Sequence, residues 1–298
     1  MVSKNIKLLY WFNFFSDFRL YAGIAILYFA KVTGSYALAT SIFSITFIAS
    51  ALAEIPTGIY SDKIGRRKTI IVGSLLGTTA VLFYAIGGSY LILFLGAILD
   101  GVSRSFFSGN NEAMLYDSLA EDGKVDRYHE YYGKTNSAFQ VALATASGLG
   151  GFIALISFQL IMLLTLIPQV IALILSFEFK EPIHVKKDST NIYEHLSEAV
   201  KLIKSNVKLR YLTISSTLSY AFGESGFQFR AAFVNTVWPV WAVGLSSTLS
   251  FIGGAIGFHF AGKIIDKIGA LKVLLYEEVI SRAINIISLA HPTILLQL

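Results

Sequence analysis

Gly58-Ile59-Tyr60-Ser61-Asp62-Lys63-Ile64-Gly65-Arg66-Arg67-Lys68 lies between two long apolar runs. Its pattern returns 204 residues later as Gly262-Lys263-Ile264-Ile265-Asp266-Lys267-Ile268-Gly269-Ala270-Leu271-Lys272. Asp-Lys-Ile-Gly is identical in the two copies, whereas the second lacks both arginines. A glycine such as Gly58 permits close approach of two helices, and Gly65 permits a tight turn. Asp62 can accept donors at a helix end, and Arg66 can pair with a carboxylate across a bundle. The plainer alternative makes Arg66, Arg67 and Lys68 topology-setting charges only. It leaves Asp62 and the glycines without a purpose.

The flanks of these loops decide the class of protein. The chain has 298 residues, 54% hydrophobic and 14% charged, with a net charge of +5 and no cysteine. Soluble domains carry about a quarter charged residues. Here no residue is charged between Lys68 and Asp100, from 135 to 177, or from 231 to 262, stretches of 31, 43 and 32 residues. Roughly 20 apolar residues cross a bilayer. A soluble enzyme, a disordered chain and a secreted disulfide scaffold are excluded, and an all-α polytopic membrane protein is expected. Helices follow because each backbone amide in lipid must find its partner within the segment. The runs are also too continuous for alternating barrel strands. With no cysteine there are no disulfides, thiolate metal sites or cysteine nucleophiles. Asn13, Asp17 and Arg19 interrupt the apolar run after Lys4 and Lys7, so the first span is expected to be retained rather than cleaved as a signal peptide.

Nine spans are expected, at about residues 8–30, 36–60, 69–87, 90–116, 135–156, 159–177, 209–230, 239–261 and 273–290, with a tenth beginning near Pro292. With the N-terminus inside, inner segments hold nineteen of the 24 lysines and arginines. Outer segments hold only Lys31 and Arg230, and three arginines lie within spans. That asymmetry predicts a cytoplasmic N-terminus and explains the positive charge without nucleic acid. The organisation expected is a six-span half (1–177), a cytoplasmic linker (178–208) and a partial second half (209–298). Within the linker Ile192, Leu196, Ala199, Val200 and Ile203 share one helical face, which suggests an amphipathic helix; a solvated linker is the alternative. Each copy of the loop follows the second span of its half. Two parallel halves around a midplane cavity is a transporter plan.

The first loop copy resembles the signature loop of the major facilitator superfamily. Glu54-Ile55-Pro56-Thr57 and Ser108-Gly109-Asn110-Asn111-Glu112-Ala113-Met114-Leu115-Tyr116-Asp117 resemble the drug-exporter-like bacterial permeases within it. The resemblance covers essentially the whole chain and implies a helical bundle of two six-span halves. Against that twelve-span plan the last two spans and most of the tenth are lacking, which suggests an incomplete sequence or a poorly stable product. The resemblance also implies that Arg66 pairs with Asp117, and that Gly58, Asp62, Gly65, Arg66, Arg67 and Asp117 form a conformational gate. Gly262, Asp266 and Gly269 are the equivalent motif of the second half.

Ionisable residues within spans are costly unless paired or wetted, so each is a candidate for function. These are Asp17, Arg19, Glu54, Asp100, Arg104 and Glu224, with Glu277, Glu278 and Arg282 nearer an edge. Asp17 and Arg19, two apart, point to different sides of a helix; Asp100 and Arg104, four apart, can pair. Asp17 is the first choice for a proton-binding carboxylate, Glu54 the second and Asp100 the third. A structural ion pair is the alternative for Asp100, with Arg104, and for Asp17, with Arg104 or another arginine across the bundle. Gly148, Gly150 and Gly151 lie at helix-packing spacing in the fifth span, and the resemblance implies that such a span sits between the halves. There is no phosphate-cradling loop, no nucleophile elbow and no pair of histidines at metal-ligand spacing, so no cofactor, metal or catalytic residue is expected.

The function expected is secondary active transport, with proton-coupled export of a small molecule leading. Proton-coupled import is the alternative, and a non-transporting fragment is the third reading. The expected setting is a bacterial cytoplasmic membrane, crossed many times by a monomer whose partners are lipid, a small molecule and protons.

Overall fold

The computed structural model describes residues 4–182 and 192–290, and those residues form helices and short connections with no strand. In chain order the helices are α1 (Lys4–Asp17), α2 (Ala25–Thr33), α3 (Tyr36–Ile64), α4 (Arg66–Ile86), α5 (Tyr90–Phe107) and α6 (Asn110–Glu121). They continue with α7 (Tyr128–Ile153), α8 (Phe158–Glu178), α9 (Ile192–Ser205), α10 (Val207–Val234), α11 (Val240–Ile268) and α12 (Ala270–Ala290). Helix starts carry side-chain caps. Ser35, Ser89, Ser157 and Asn206 each accept a hydrogen bond from an amide of the first turn. Helical segments coincide with all nine expected spans, and α9 falls where the amphipathic pattern put it. Five of the helical segments are long and apolar enough to cross a membrane by length and composition: α3, α4, the joined α5–α6, α8 and the first part of α11. The tenth span lies outside the described residues.

Three expectations need correcting. The first span is not one helix, because α1 ends at Asp17 and residues 18–24 run as turns before α2. The fourth is interrupted at Ser108-Gly109, where Gly109 has φ +66°. Arg230 is not in an outer loop; it lies within α10, held by Ser246 and Ser250 of α11.

Two apolar cores stack along the bundle. Ile6, Leu9, Phe12, Ile70, Met114, Leu119 and Ala172 form one near the signature loop, and Ile24, Phe29, Ile42, Tyr84, Leu93 and Ile161 form the other toward the far end. Between them, in the stretch after α1 and along α5 and α8, sit the buried polar residues Arg19, Asp100, Ser103 and Gln169. Gln169 donates to the carbonyl of Ser16 (2.8 Å), near the end of α1, and to that of Phe15 (3.4 Å), which also accepts from the Phe18 amide. A backbone break inside a membrane persists only where such partners exist.

The glycines of α7 do what their spacing predicts. A Cβ on Gly150 would run into the carbonyl of Leu20 in the non-helical stretch, and one on Gly151 would lie 2.8 Å from the Trp241 carbonyl oxygen of α11. Thr248 donates to the Ala144 carbonyl at 2.7 Å, and Phe152 stacks on Trp241. Toward the signature-loop end the two helices part. Gly254 would only graze Gln140 at 3.4 Å, and Gly257 and Gly133 have nothing within 4 Å. α7 and α11 therefore pack closely at the far end and more loosely at the other.

Gly150→Val is expected to lower stability by about 1–3 kcal/mol through overpacking against the Leu20 backbone. Gly253→Ala, in open surroundings, is expected to leave it unchanged or slightly raised. Thermal unfolding of the two purified variants in detergent checks the contrast.

Candidate functional site

The signature loop is built around Arg66. Gly65, at φ +105°, breaks α3 from α4, a conformation that a side chain resists. The turn brings Arg66 back over the last turn of α3, where its Nη1 donates to Ser61 Oγ (2.6 Å) and Asp62 Oδ1 (3.0 Å). Its Nε lies 3.5 Å from Asp117 Oδ2 on α6, so the predicted Asp62–Arg66–Asp117 set is brought together. Ser61 donates in turn to Asn110 Oδ1 (2.6 Å), and Asn110 donates to the Arg66 carbonyl (3.2 Å). Arg67 donates to the Phe177 carbonyl at the end of α8 (2.9 Å).

The sequence reading missed Glu181. Its carboxylate accepts from the backbone amides of Arg66 (2.6 Å) and Arg67 (2.9 Å), the first turn of α4, where helix amides lack partners and the helix dipole favours an anion. A Cβ on Gly65 would lie 2.7 Å from that carboxylate, a second reason for glycine there. Nearby, Lys4 lies 2.7 Å from Glu178 and holds that exposed carboxyl below its ordinary range. Gly58 behaves otherwise than expected: a Cβ there meets nothing within 4 Å, so no close helix approach depends on it. In the second copy Gly269 has φ +87° between α11 and α12, matching Gly65; Gly262 and Asp266 fall within α11, and their side chains lie outside the described residues.

The charges within the spans separate into a cluster and outliers. Asp100, 3% exposed, accepts from Arg19 Nη1 (2.8 Å) through one oxygen and from Arg104 Nε and Nη2 (3.2 and 3.1 Å) through the other. Arg19 also donates to the Tyr21 hydroxyl (3.4 Å) and the Ser16 carbonyl (3.3 Å). The Asp100–Arg104 pair is as expected. The across-bundle partner of Asp100 is Arg19, whereas Asp17 has no arginine bonded to it. Removing one member of such a set strands a buried charge, typically at about 3–5 kcal/mol.

Asp17 lines a cleft of about 210 Å³ that enters from the signature-loop end. Its hydrogen-bond donor is the Ser16 hydroxyl (3.4 Å). Asn13, Asn111, Glu112, Thr135 and Asn136 line the same cleft, as do Phe107, Ser108 and Gly109 from the break between α5 and α6. Both interrupted spans thus open onto one polar cleft, and the unpaired carboxylate stands at its inner wall. Glu54 is exposed on α3 and Glu224 accepts from Gln228 on α10 (2.6 Å), so neither joins the cluster. Glu278 pairs with Arg282 along α12. Among the described residues no group of His, Cys, Asp or Glu could hold a metal.

Comparison with known proteins agrees with this architecture. The chain is 26% identical over 231 residues to quinolone resistance protein NorA of Staphylococcus aureus (strain Mu50 / ATCC 700699), covering 76% of this chain and 57% of the relative. It is 26% identical over 189 residues to multidrug resistance protein 2 of Bacillus subtilis (strain 168), covering 61% and 46%. The chain therefore spans about half the length of these relatives. Among solved structures it resembles the nucleoside transporter NupG (TM-score 0.68, 14% identity, 90% of this chain and 69% of that one) and a D-xylose-proton symporter (0.69, 13%, 88% and 68%). At such identities the likeness is one of fold. Residues 8–284 match the profile of the Major Facilitator Superfamily, and the chain belongs to that family of membrane transporters rather than to any class of enzyme.

Proposed function

We propose that this chain forms the first half and part of the second half of a proton-coupled exporter of small molecules, working by alternating access. The observation that carries the proposal is the convergence of two interrupted spans on one polar cleft with Asp17 at its wall. Interrupted helices place free backbone groups and side chains where a ligand or coupling ion can be bound inside the membrane. Export rather than import is supported by the similarity to NorA and multidrug resistance protein 2. The lysine and arginine asymmetry supports a cytoplasmic signature loop, so that the opening at that end receives substrate from inside. The linker 178–208 joins the halves, and the transporter acts as a monomer.

In this scheme Asp17 is the proton-binding carboxylate, because Asp100 already pairs with buried Arg19 and with Arg104 and leaves Asp17 free to exchange a proton with the cleft. Arg19, Asp100 and Arg104 hold the first half rigid around the cleft. Glu54 and Glu224 belong to the pathway only through their place on α3 and α10. Asp62, Arg66, Arg67 and Asp117, with Gly65, form the gate. Their side-chain bonds lie within the first half, so the gate sets the angle between α3, α4 and α6 while the halves rock.

Asp17→Asn is expected to abolish uphill efflux driven by a pH gradient in proteoliposomes of the transporter, while downhill exchange persists. Full coupling in that variant overturns the assignment. Asp62→Asn removes the charge from a bond that Arg66 also makes elsewhere, so transport is expected to fall several-fold with thermal stability within about 1 kcal/mol of wild type. Unchanged transport by a well-expressed Asp62→Asn protein overturns the gate.

A further inference from the structure

The polar side chains of α8 are used in two different ways. Thr165 and Ser176 donate to carbonyls of their own helix, those of Ile161 and Leu173, at 2.8 and 2.6 Å. Gln169, 4% exposed, reaches out instead and places its Nε2 on the Ser16 and Phe15 carbonyls of α1. A primary amide buried in mid-span is costly unless it is bonded. The preceding Pro168 has no amide hydrogen to give its own helix, and Thr78 of α4 donates to the Gln169 carbonyl at 3.3 Å. Gln169 is thus anchored through its backbone to α4 and uses its side chain on α1.

The Ser16 carbonyl belongs to the peptide that joins Ser16 to Asp17. In an uninterrupted helix it would accept from the amide four residues on. Here it accepts from Gln169 at 2.8 Å and from Arg19 Nε at 3.3 Å, while the Arg19 amide folds back on the Asp17 carbonyl at 2.8 Å. The turn keeps an acid and an arginine close in the chain, yet directs Arg19 to Asp100 and Asp17 to the cleft. The charged and titratable groups around Asp17 are Arg19 of the turn, with Tyr21 bonded to it, Asp100 and Arg104 of α5, Glu112 of α6 and Tyr132 of α7. α8 carries no charge before Glu178 at its end and brings only the Gln169 amide to this region. Each of these contacts joins elements within α1–α8.

We propose that Gln169 is a positioning residue for proton exchange at Asp17: by holding the Ser16 carbonyl it keeps the acid turned to the cleft and away from Arg19 and Arg104. The inference rests on the transport reading above and adds a residue to it. A neutral donor suits the task. An ionised group at this position would itself attract or repel Asp17, and a side chain without a donor could not hold a carbonyl. Once the turn is loosened, the Asp17 carboxylate can close on one of the two arginines, and a carboxylate paired in that way binds its proton less tightly.

The test is a pH titration of the purified chain in phosphatidylcholine nanodiscs, followed through the infrared stretch of protonated carboxyl groups. The component missing from Asp17→Asn belongs to Asp17. Gln169→Met keeps the length of the side chain and removes its N–H donors. It is expected to lower the midpoint of that component by about one pH unit, or tenfold in proton affinity. Gln169→Asn leaves the amide one methylene short of the carbonyl; it is expected to fall between, and it carries the comparison if Gln169→Met does not fold. Thr165→Val removes another buried polar group one turn away on α8 and is expected to leave the midpoint where it was. A midpoint unmoved by the Gln169 substitutions, whatever the melting temperature does, makes Gln169 a packing residue and overturns the inference while the transport reading stands. An equal shift in Thr165→Val also overturns it, because general loosening of α8 would then suffice. If Asp17→Asn removes no titrating component, Asp17 binds no proton, and its assignment in the transport reading falls together with this inference.

Discussion

Between Asp17 and Ile24 the backbone of the first span leaves its helix while still inside the membrane, and the rest of the structure is arranged to make that tolerable. Lipid offers no hydrogen bonds to the freed groups, so the protein must. Gln169 of α8 and the Arg19 guanidinium take the Ser16 carbonyl, and Gln169 also reaches that of Phe15. The Leu20 carbonyl is pressed against Gly150 so closely that no other residue fits there. Arg19 can enter the bundle because the chain turns at that point, and its charge is met by Asp100, whose second oxygen is filled by Arg104. The break, the ion cluster and the glycines of α7 form one packing solution.

Functional geometry follows from that solution. Because Arg19 turns one way to Asp100, Asp17 is left on the other side of the break, facing the cleft. Because α7 must fit against the non-helical stretch and against α11, its far end is lined with glycine, serine and alanine, and the two helices pack closely there. At the opposite end the same two helices diverge and the cleft opens. The signature loop at that end is independently locked: Gly65 turns the chain, Glu181 receives the first amides of α4, and Arg66 joins α3, α4 and α6. The loop and the charge layer thus tie the helices of the first half to one another at two levels.

Much of this was legible in the chain. Uncharged stretches of 31, 43 and 32 residues leave no choice but membrane helices, and the twice-placed Asp-Lys-Ile-Gly loop, 204 residues apart, names the two-half plan. The Asp62–Arg66–Asp117 set and the Asp100–Arg104 pair were also within reach, the first by resemblance to a family loop and the second because residues four apart meet on a helix. Glu181, Gln169 and the serines around Arg230 were not. Each acts on a partner distant in sequence, and a lone glutamate, glutamine or serine carries no periodic signal of its own.

Hydrophobic length and internal repetition are properties of the chain as a string, and they determined by themselves that this is a polytopic helical membrane protein with a repeated plan; its likeness to the major facilitator superfamily came from the residues of the signature loop. Which ionisable residue is paired and which is free was decided only by the tertiary structure. The sequence places Asp17 and Arg19 two residues apart in one apolar run, where an intact helix would merely splay them. It is the turn at residues 18–24, stabilised by α5, α7 and α8, that sends the arginine to a buried carboxylate and leaves the aspartate to the cleft. In a low-dielectric interior the partner fixes the worth of a charge, and partners are set by packing between segments that the sequence keeps far apart.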